Sequence, residues 1–127
     1  MSQENVELVR RLLAAFNERD MSTIRSGLHP DVELQTIVEA QHGHAGAADW
    51  IARADSVFDS FEMTVEELID AGDRVVAVVH ERATGRGSGL QVDQHLAQVL
   101  TIRDGRVTRI QSFTDRAEAL KAVGLEE

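Results

Sequence analysis

The Asp104-Gly105 pair, set between Val99–Arg103 and Arg106–Ile110, constrains this chain more than any other feature of its sequence. Asp-Gly between alternating apolar residues signals a two-residue hairpin, because both central positions need positive φ. The turn sets a register, with Ile102 opposite Val107, Leu100 opposite Arg109 and Gln98 opposite Gln111. Alternation then gives one face Leu90, Val92, Gln94, Leu96, Gln98, Leu100, Ile102, Val107, Arg109, Gln111 and Phe113. The opposite face receives Asp93, His95, Ala97, Val99, Thr101, Thr108, Ile110 and Ser112. The first face carries the bulkier apolar residues and is expected to meet the core. The second is smaller but half apolar, which implies cover by another subunit. A β-bulge in either strand would exchange these assignments.

Two further strand-like segments, Met63–Ala71 and Arg74–Ala83, precede Leu90–Arg103 and Arg106–Thr114, with Gly72-Asp73 and Gly85–Gly89 (GRGSG) as punctuation. A four-residue loop over Arg86–Gly89 puts Glu81 opposite Gln94 on the first face, and Arg82 opposite Asp93 on the second as a cross-strand ion pair. Upstream, Ser2 can cap a first helix whose apolar stripe is Val6, Val9, Leu12, Leu13 and Phe16. Asp20 can cap a short second helix carrying Met21, Ile24 and Leu28, stopped at His29-Pro30-Asp31. Val32–Ile37 reads as a short strand and Gln41–Gly46 (QHGHAG) as a loop. A third helix is expected from about Ala47 to Phe61, with Trp50, Ile51, Ala54, Val57, Phe58 and Phe61 on one side. A final helix, Asp115–Val123, ends at Gly124. Helices segregated from an antiparallel run of strands indicate an α+β domain over residues 1–127, in which long strands can curl around the helices and enclose a cavity.

Composition narrows the function classes. With 22 acids against 13 bases the formal charge is −9, which disfavours binding to phosphate backbones, so no nucleic-acid partner is expected. No cysteine is present, which removes disulfides, a thiol nucleophile and cysteine-ligated metals. The sequence contains no apolar run of membrane-spanning length and no signal-peptide order at Met1–Arg10, so the expectation is a cytoplasmic protein with no membrane partner.

The segments ENVELVRRLLAAFNERD, HPDVEL, GHAGAADWI, ELIDAGDRVVAVV, GRGSGLQVDQ, TIRDGRVTRIQSF and DRAEALKAVGL together resemble the SnoaL-like members of the nuclear-transport-factor-two-like superfamily. That resemblance implies a cone-like α+β fold, a pocket between sheet and helices, and a homodimer. It implies no particular reaction, because the fold hosts cyclases, isomerases, hydrolases and non-catalytic modules. SnoaL-type polyketide cyclases carry a His and an Asp at positions that align near Gln98 and Ser112, with Ala97 and Gln111 as one-residue alternatives. Hairpin arithmetic puts Gln98 and Ser112 on opposite faces, so that pairing requires a bulge. Ketosteroid isomerases place a phenol donor near Leu12, a base near Thr36 and a carboxylic acid near Ala97 or Gln98. None of these residues is an acid or base near neutral pH.

Among the remaining groups, Glu81 lies between Val79 and Ala83 on the core face, where burial would raise its pKa toward that of a general acid or base; the alternative is a hydrogen-bonded Glu at the sheet mouth. His42 and His44 beside Glu39 form an H-x-H pair without a third metal ligand fixed by spacing, so no metal and no cofactor is expected. His80 and His95 lie across from each other with Asp93 nearby, either as a proton-sensitive contact or as structure. Trp50 is either a ligand wall or core. The residues expected to edge a pocket for a small, largely apolar molecule are Trp50, Gln94, Gln98, Gln111 and Phe113. The alternatives are a metal-independent acid–base enzyme (isomerase, cyclase or hydrolase) using Glu81 or a histidine such as His95 brought into the pocket by a bulge, and a non-catalytic dimeric interaction domain.

Overall fold

The computed structural model describes residues 2–37 and 39–125, apart from the Ser2 side chain, so the expected Ser2 cap lies outside the described residues. The order is α1 (Ser2–Glu18), α2 (Met21–Gly27), β1 (Leu28–Gln35), β2 (Ala40–His42), α3 (Gly43–Val57), β3 (Phe58–Ala71), β4 (Arg74–Gly85), β5 (Gln91–Arg103), β6 (Arg106–Phe113) and α4 (Arg116–Ala122). The six strands form one mixed sheet in the order β2-β1-β6-β5-β4-β3, with β1 parallel to β6 and all other neighbours antiparallel. This is the expected α+β architecture. Among the described residues, no helix is long and apolar enough to cross a membrane.

Helices α1, α2 and α3 pack on one side of the sheet. Val9, Leu12, Leu13 and Phe16 of α1 join Ile24, Ala47, Ile51, Val75, Ala77, Val79, Leu100, Ile102 and Val107 in the main core. The Asn17 amide locks α1 onto β3 by donating to the Met63 carbonyl at 2.7 Å and accepting from the Met63 N–H at 2.9 Å. Asp20 caps α2 as expected, its carboxylate accepting from the Thr23 N–H and hydroxyl. Helix α4 lies on the opposite side of the sheet, where Ala119 and Val123 cover Val76, Ala97 and Val99, with Phe113 packed alongside. Part of the apolar surface on that outer face is therefore covered within the chain.

The two hairpins expected around β5 form. Asp104 and Gly105 have φ of 53° and 76°, and Arg103 pairs with Arg106. Glu81 is in register with Gln94, and Arg82 with Asp93. The expected ion pair does not follow from that register, because Asp93 bonds His80 while Arg82 lies 3.7 Å from Glu62.

Several boundaries differ from the sequence reading. Strand β1 begins at Leu28, because Pro30 and its neighbours favour extended backbone. The QHGHAG segment is strand β2 followed by the first turn of α3, with Gly43 at φ 75°. Helix α3 stops at Val57, and Phe58 and Phe61 belong to β3. A register shift between Phe58 and Ser60 separates those two phenylalanines by three residues, the same interval as on a helix face. Val57 is largely exposed rather than on the apolar stripe.

The main correction concerns β6. Ile102 pairs with Val107, but Thr101 pairs with Arg109, leaving Thr108 as an inserted residue. Beyond this bulge every side chain is reversed relative to simple alternation. Ile110 and Ser112 turn to the core side with Leu100 and Gln98, and Gln111 and Phe113 turn outward.

Candidate functional site

The β6 bulge determines what lines the space between sheet and helices. A cavity of about 110 Å³ lies under α1 and α3, walled by apolar groups that include Leu12, Phe16, Leu34, Trp50, Leu100 and Ile110. Four polar residues line it: Gln35, Thr36, Gln98 and Ser112. An outer groove of about 450 Å³ adjoins it, bounded by Phe58, Phe61, Glu39, Arg53, Glu81, Gln94 and Leu96. Thr36, Trp50, Met63, Gln98 and Ser112 belong to both walls and mark the throat between the two spaces.

Two of the four polar groups have partners in the fold. The Gln35 amide donates to the Thr36 and Glu39 carbonyls at 3.2 and 3.4 Å. The Thr36 hydroxyl donates to the Glu39 carbonyl and accepts from the Glu39 N–H, each at 3.0 Å. Gln98 and Ser112 face each other across β5 and β6, and neither side chain has a hydrogen-bond partner among the described residues. Among the described residues, no polar side-chain atom is fully buried without a partner, so both groups, which line the cavity, are open to it. A free amide offers two donors and an acceptor, and a hydroxyl one donor and two lone pairs.

Trp50 combines the two roles its sequence position left open. It lines the throat, and it packs with Phe16 and Phe61 at ring-centroid distances of 5.5 and 6.2 Å. Gln94 and Glu81 stand in the outer groove, where the Gln94 amide donates to Glu81 Oε1 at 2.6 Å. Glu81 thus lines the groove rather than the inner cavity. Gln111 and Phe113, expected beside Gln98, are placed by the bulge on the α4 side, with Phe113 against Ala97 and Val99. Sequence alternation missed Leu34, Ile110 and Ser112 as cavity residues. The available signal was the conflict between hairpin arithmetic and the family alignment, which paired Gln98 with Ser112.

Among the described lining residues, charge lies in the outer groove. Glu39 binds Arg53 through two contacts of 2.6 and 2.9 Å, and the hydrogen bond from that guanidinium holds its carboxyl below the usual carboxylate range. His42 is exposed and His44 bonds the Leu28 carbonyl at 2.8 Å, so Glu39 and this histidine pair do not gather into a ligand set.

A profile of the SnoaL-like domain matches residues 9–110. The chain belongs to the SnoaL-like domain family. An uncharacterized protein of Mycobacterium tuberculosis is 32% identical to this SnoaL-like domain over 121 residues, covering 86% of this chain and 87% of its own length. An NTF2-like protein of unknown function from Burkholderia pseudomallei shares the fold with a TM-score of 0.81 at 23% identity, over 94% of this chain and 97% of that one. TerC, co-crystallized with polyporic acid, matches with a TM-score of 0.79 at 27% identity, over 95% of this chain and 98% of that one. The positions that the resemblance assigns to acid–base groups converge in this structure: Leu12, Thr36, Gln98 and Ser112 all line the inner cavity. Ala97, the alternative to Gln98, faces α4 instead. The cavity contains no carboxylate, imidazole, amine, guanidinium or phenol among its described lining residues.

Proposed function

We propose that this SnoaL-like domain binds a small, neutral, largely apolar molecule, gripping one polar group of that molecule between Gln98 and Ser112. The carrying observation is that these two side chains are unpartnered among the described residues, in a mainly apolar cavity whose other polar side chains, Gln35 and Thr36, bond within the fold. A polar group desolvated without a partner costs free energy, so a ligand carbonyl or hydroxyl placed there gains hydrogen bonds while its apolar body leaves water. An apolar cavity of about 150 Å³ accommodates benzene, so the inner space of about 110 Å³ suits one end of a ligand, with the remainder in the outer groove. The co-crystallization of TerC with polyporic acid supports a small-molecule ligand for this fold at a related sequence.

Acid–base chemistry has weaker support. Among the described residues, the carboxylates lining the outer groove are Glu39, paired with Arg53, and Glu81, bonded by Gln94.

Trp50 is the sole tryptophan, so its emission reports directly on the throat. Phenol and toluene differ chiefly in one hydroxyl and serve as matched probes, with polyporic acid as the larger one. Phenol is expected to quench Trp50 emission saturably and to bind more tightly than toluene. Gln98→Leu combined with Ser112→Ala is expected to weaken phenol by about tenfold, the value of roughly 1.4 kcal/mol of lost hydrogen bonding, while sparing toluene. Unchanged phenol affinity in the double variant would overturn the assignment.

A further inference from the structure

On the sheet face away from the cavity, β3, β4 and β5 bring Glu66, His80 and His95 together. One ligand atom from each lies within 4.8 Å of those from the other two. We infer that these three residues form a binding site for a first-row divalent cation of the zinc class. The site lies on the opposite face of the sheet from the proposed ligand cavity and is independent of that reading.

The backbone builds the cluster. His80 and His95 are direct cross-strand partners, and their rings stack with centroids 4.4 Å apart. On β3 a bulge between Val65 and Glu67 leaves Glu66 as an extra residue beside them. Glu67 turns to Arg116, while Glu66 reaches across β4 to accept from His95 Nδ1 at 2.8 Å. His80 Nε2 contacts Asp93 Oδ1 at 2.6 Å. A carboxylate on one nitrogen of an imidazole is the arrangement that orients a ligating histidine.

Charge and donor type agree on the class of ion. With both imidazoles in the neutral form that ligation requires, the carboxylates of Glu66 and Asp93 supply a charge of about −2, which a divalent cation balances. Arg82, the register partner of Asp93, adds positive charge beside it and lies 3.7 Å from Glu62, whose carboxylate balances that charge. Nitrogen-rich donors with a carboxylate favour zinc and its neighbours over calcium or magnesium, which prefer all-oxygen sets. Three protein ligands leave coordination positions for water, as in open zinc sites. The site is accessible, since the His95 and Glu66 side chains are 62% and 42% exposed. The two rings are only 10° from parallel, and a metal binds imidazole in the ring plane. Binding therefore requires the exposed His95 ring to swing out of the stack, exchanging its Glu66 hydrogen bond for shared coordination.

Isothermal titration of Zn²⁺ into the untagged full chain tests this, with Co²⁺ absorption reporting ligand field. Saturation at one ion per chain is expected. His95→Ala and Glu66→Gln should each weaken binding by about tenfold or more, with far-ultraviolet circular dichroism confirming that both variants fold. Glu66→Gln preserves size on an exposed strand, so it keeps the test open if His95→Ala fails to fold. His42→Ala should leave the titration unchanged. Absence of saturable binding, unaltered affinity in Glu66→Gln, or loss of binding in His42→Ala would each overturn the site.

Discussion

At residue scale, an amide and a hydroxyl at Gln98 and Ser112 make the cavity indifferent to pH near neutrality. Affinity for a neutral probe such as phenol is expected to stay constant between about pH 6 and pH 8, because no lining group changes charge there. Stability is a separate matter at lower pH. Hydrogen bonds lower the carboxyl pKa of Asp20 through Thr23, Glu39 through Arg53, Asp55 through Arg19 and Glu67 through Arg116. Each of these groups holds its proton less tightly when folded than when unfolded. Its contribution is thus complete above the ordinary values of 3.8 for Asp and 4.5 for Glu, and it is lost as pH falls through the lowered folded values. Thermal melting across an acid series is expected to be level above about pH 5 and to fall progressively below that. A midpoint unchanged down to about pH 2 would contradict these assignments.

At the scale of elements, the hairpin turns were legible because each depends on local chemistry. Asp104-Gly105 meets a positive-φ requirement within two residues, and the β4–β5 register follows from counting across one loop. Helix α3 and strand β3 were not separable by periodicity, since a bulge let Phe58 and Phe61 keep helical spacing on a strand. The β6 bulge was equally silent locally. Beyond it β6 pairs in parallel with β1, with Leu34 beside Ile110, a contact between residues far apart in sequence. The seven-residue helix α4 is capped by Asp115, whose carboxylate accepts from the Glu118 N–H at 2.9 Å. Asp115→Ala is expected to cost about 1 kcal/mol in urea unfolding. Leu100, almost fully buried where the sheet meets the helices, should cost about 2–5 kcal/mol as Leu100→Ala.

For the whole molecule, the sequence conveyed the architecture better than the site. The cavity needed the helices, the sheet and the bulge placed together before Leu12, Thr36, Gln98 and Ser112 could be seen as one wall. The expected second subunit rested on Val99 and Ile110, yet α4 covers the first and the bulge turns the second inward. We propose pairing of two copies through what α4 leaves open on this face around Val78, outside the Glu66, His80 and His95 cluster. Sedimentation across micromolar concentrations is expected to show a monomer–dimer equilibrium, and a monomer throughout would exclude it.

The inserted residue at Thr108 also bears on how such a domain diversifies. Because Thr108 is the surplus residue, its deletion would leave Arg109 opposite Thr101 and Ser112 opposite Gln98, with every later side chain on its present face. Closing the bulge while keeping Thr108 would instead slide the strand by one residue, sending Gln111 and Phe113 into the cavity and Ser112 out of it. Relatives with a bulged and a plain β6 of equal length would share an outline while selecting different ligands.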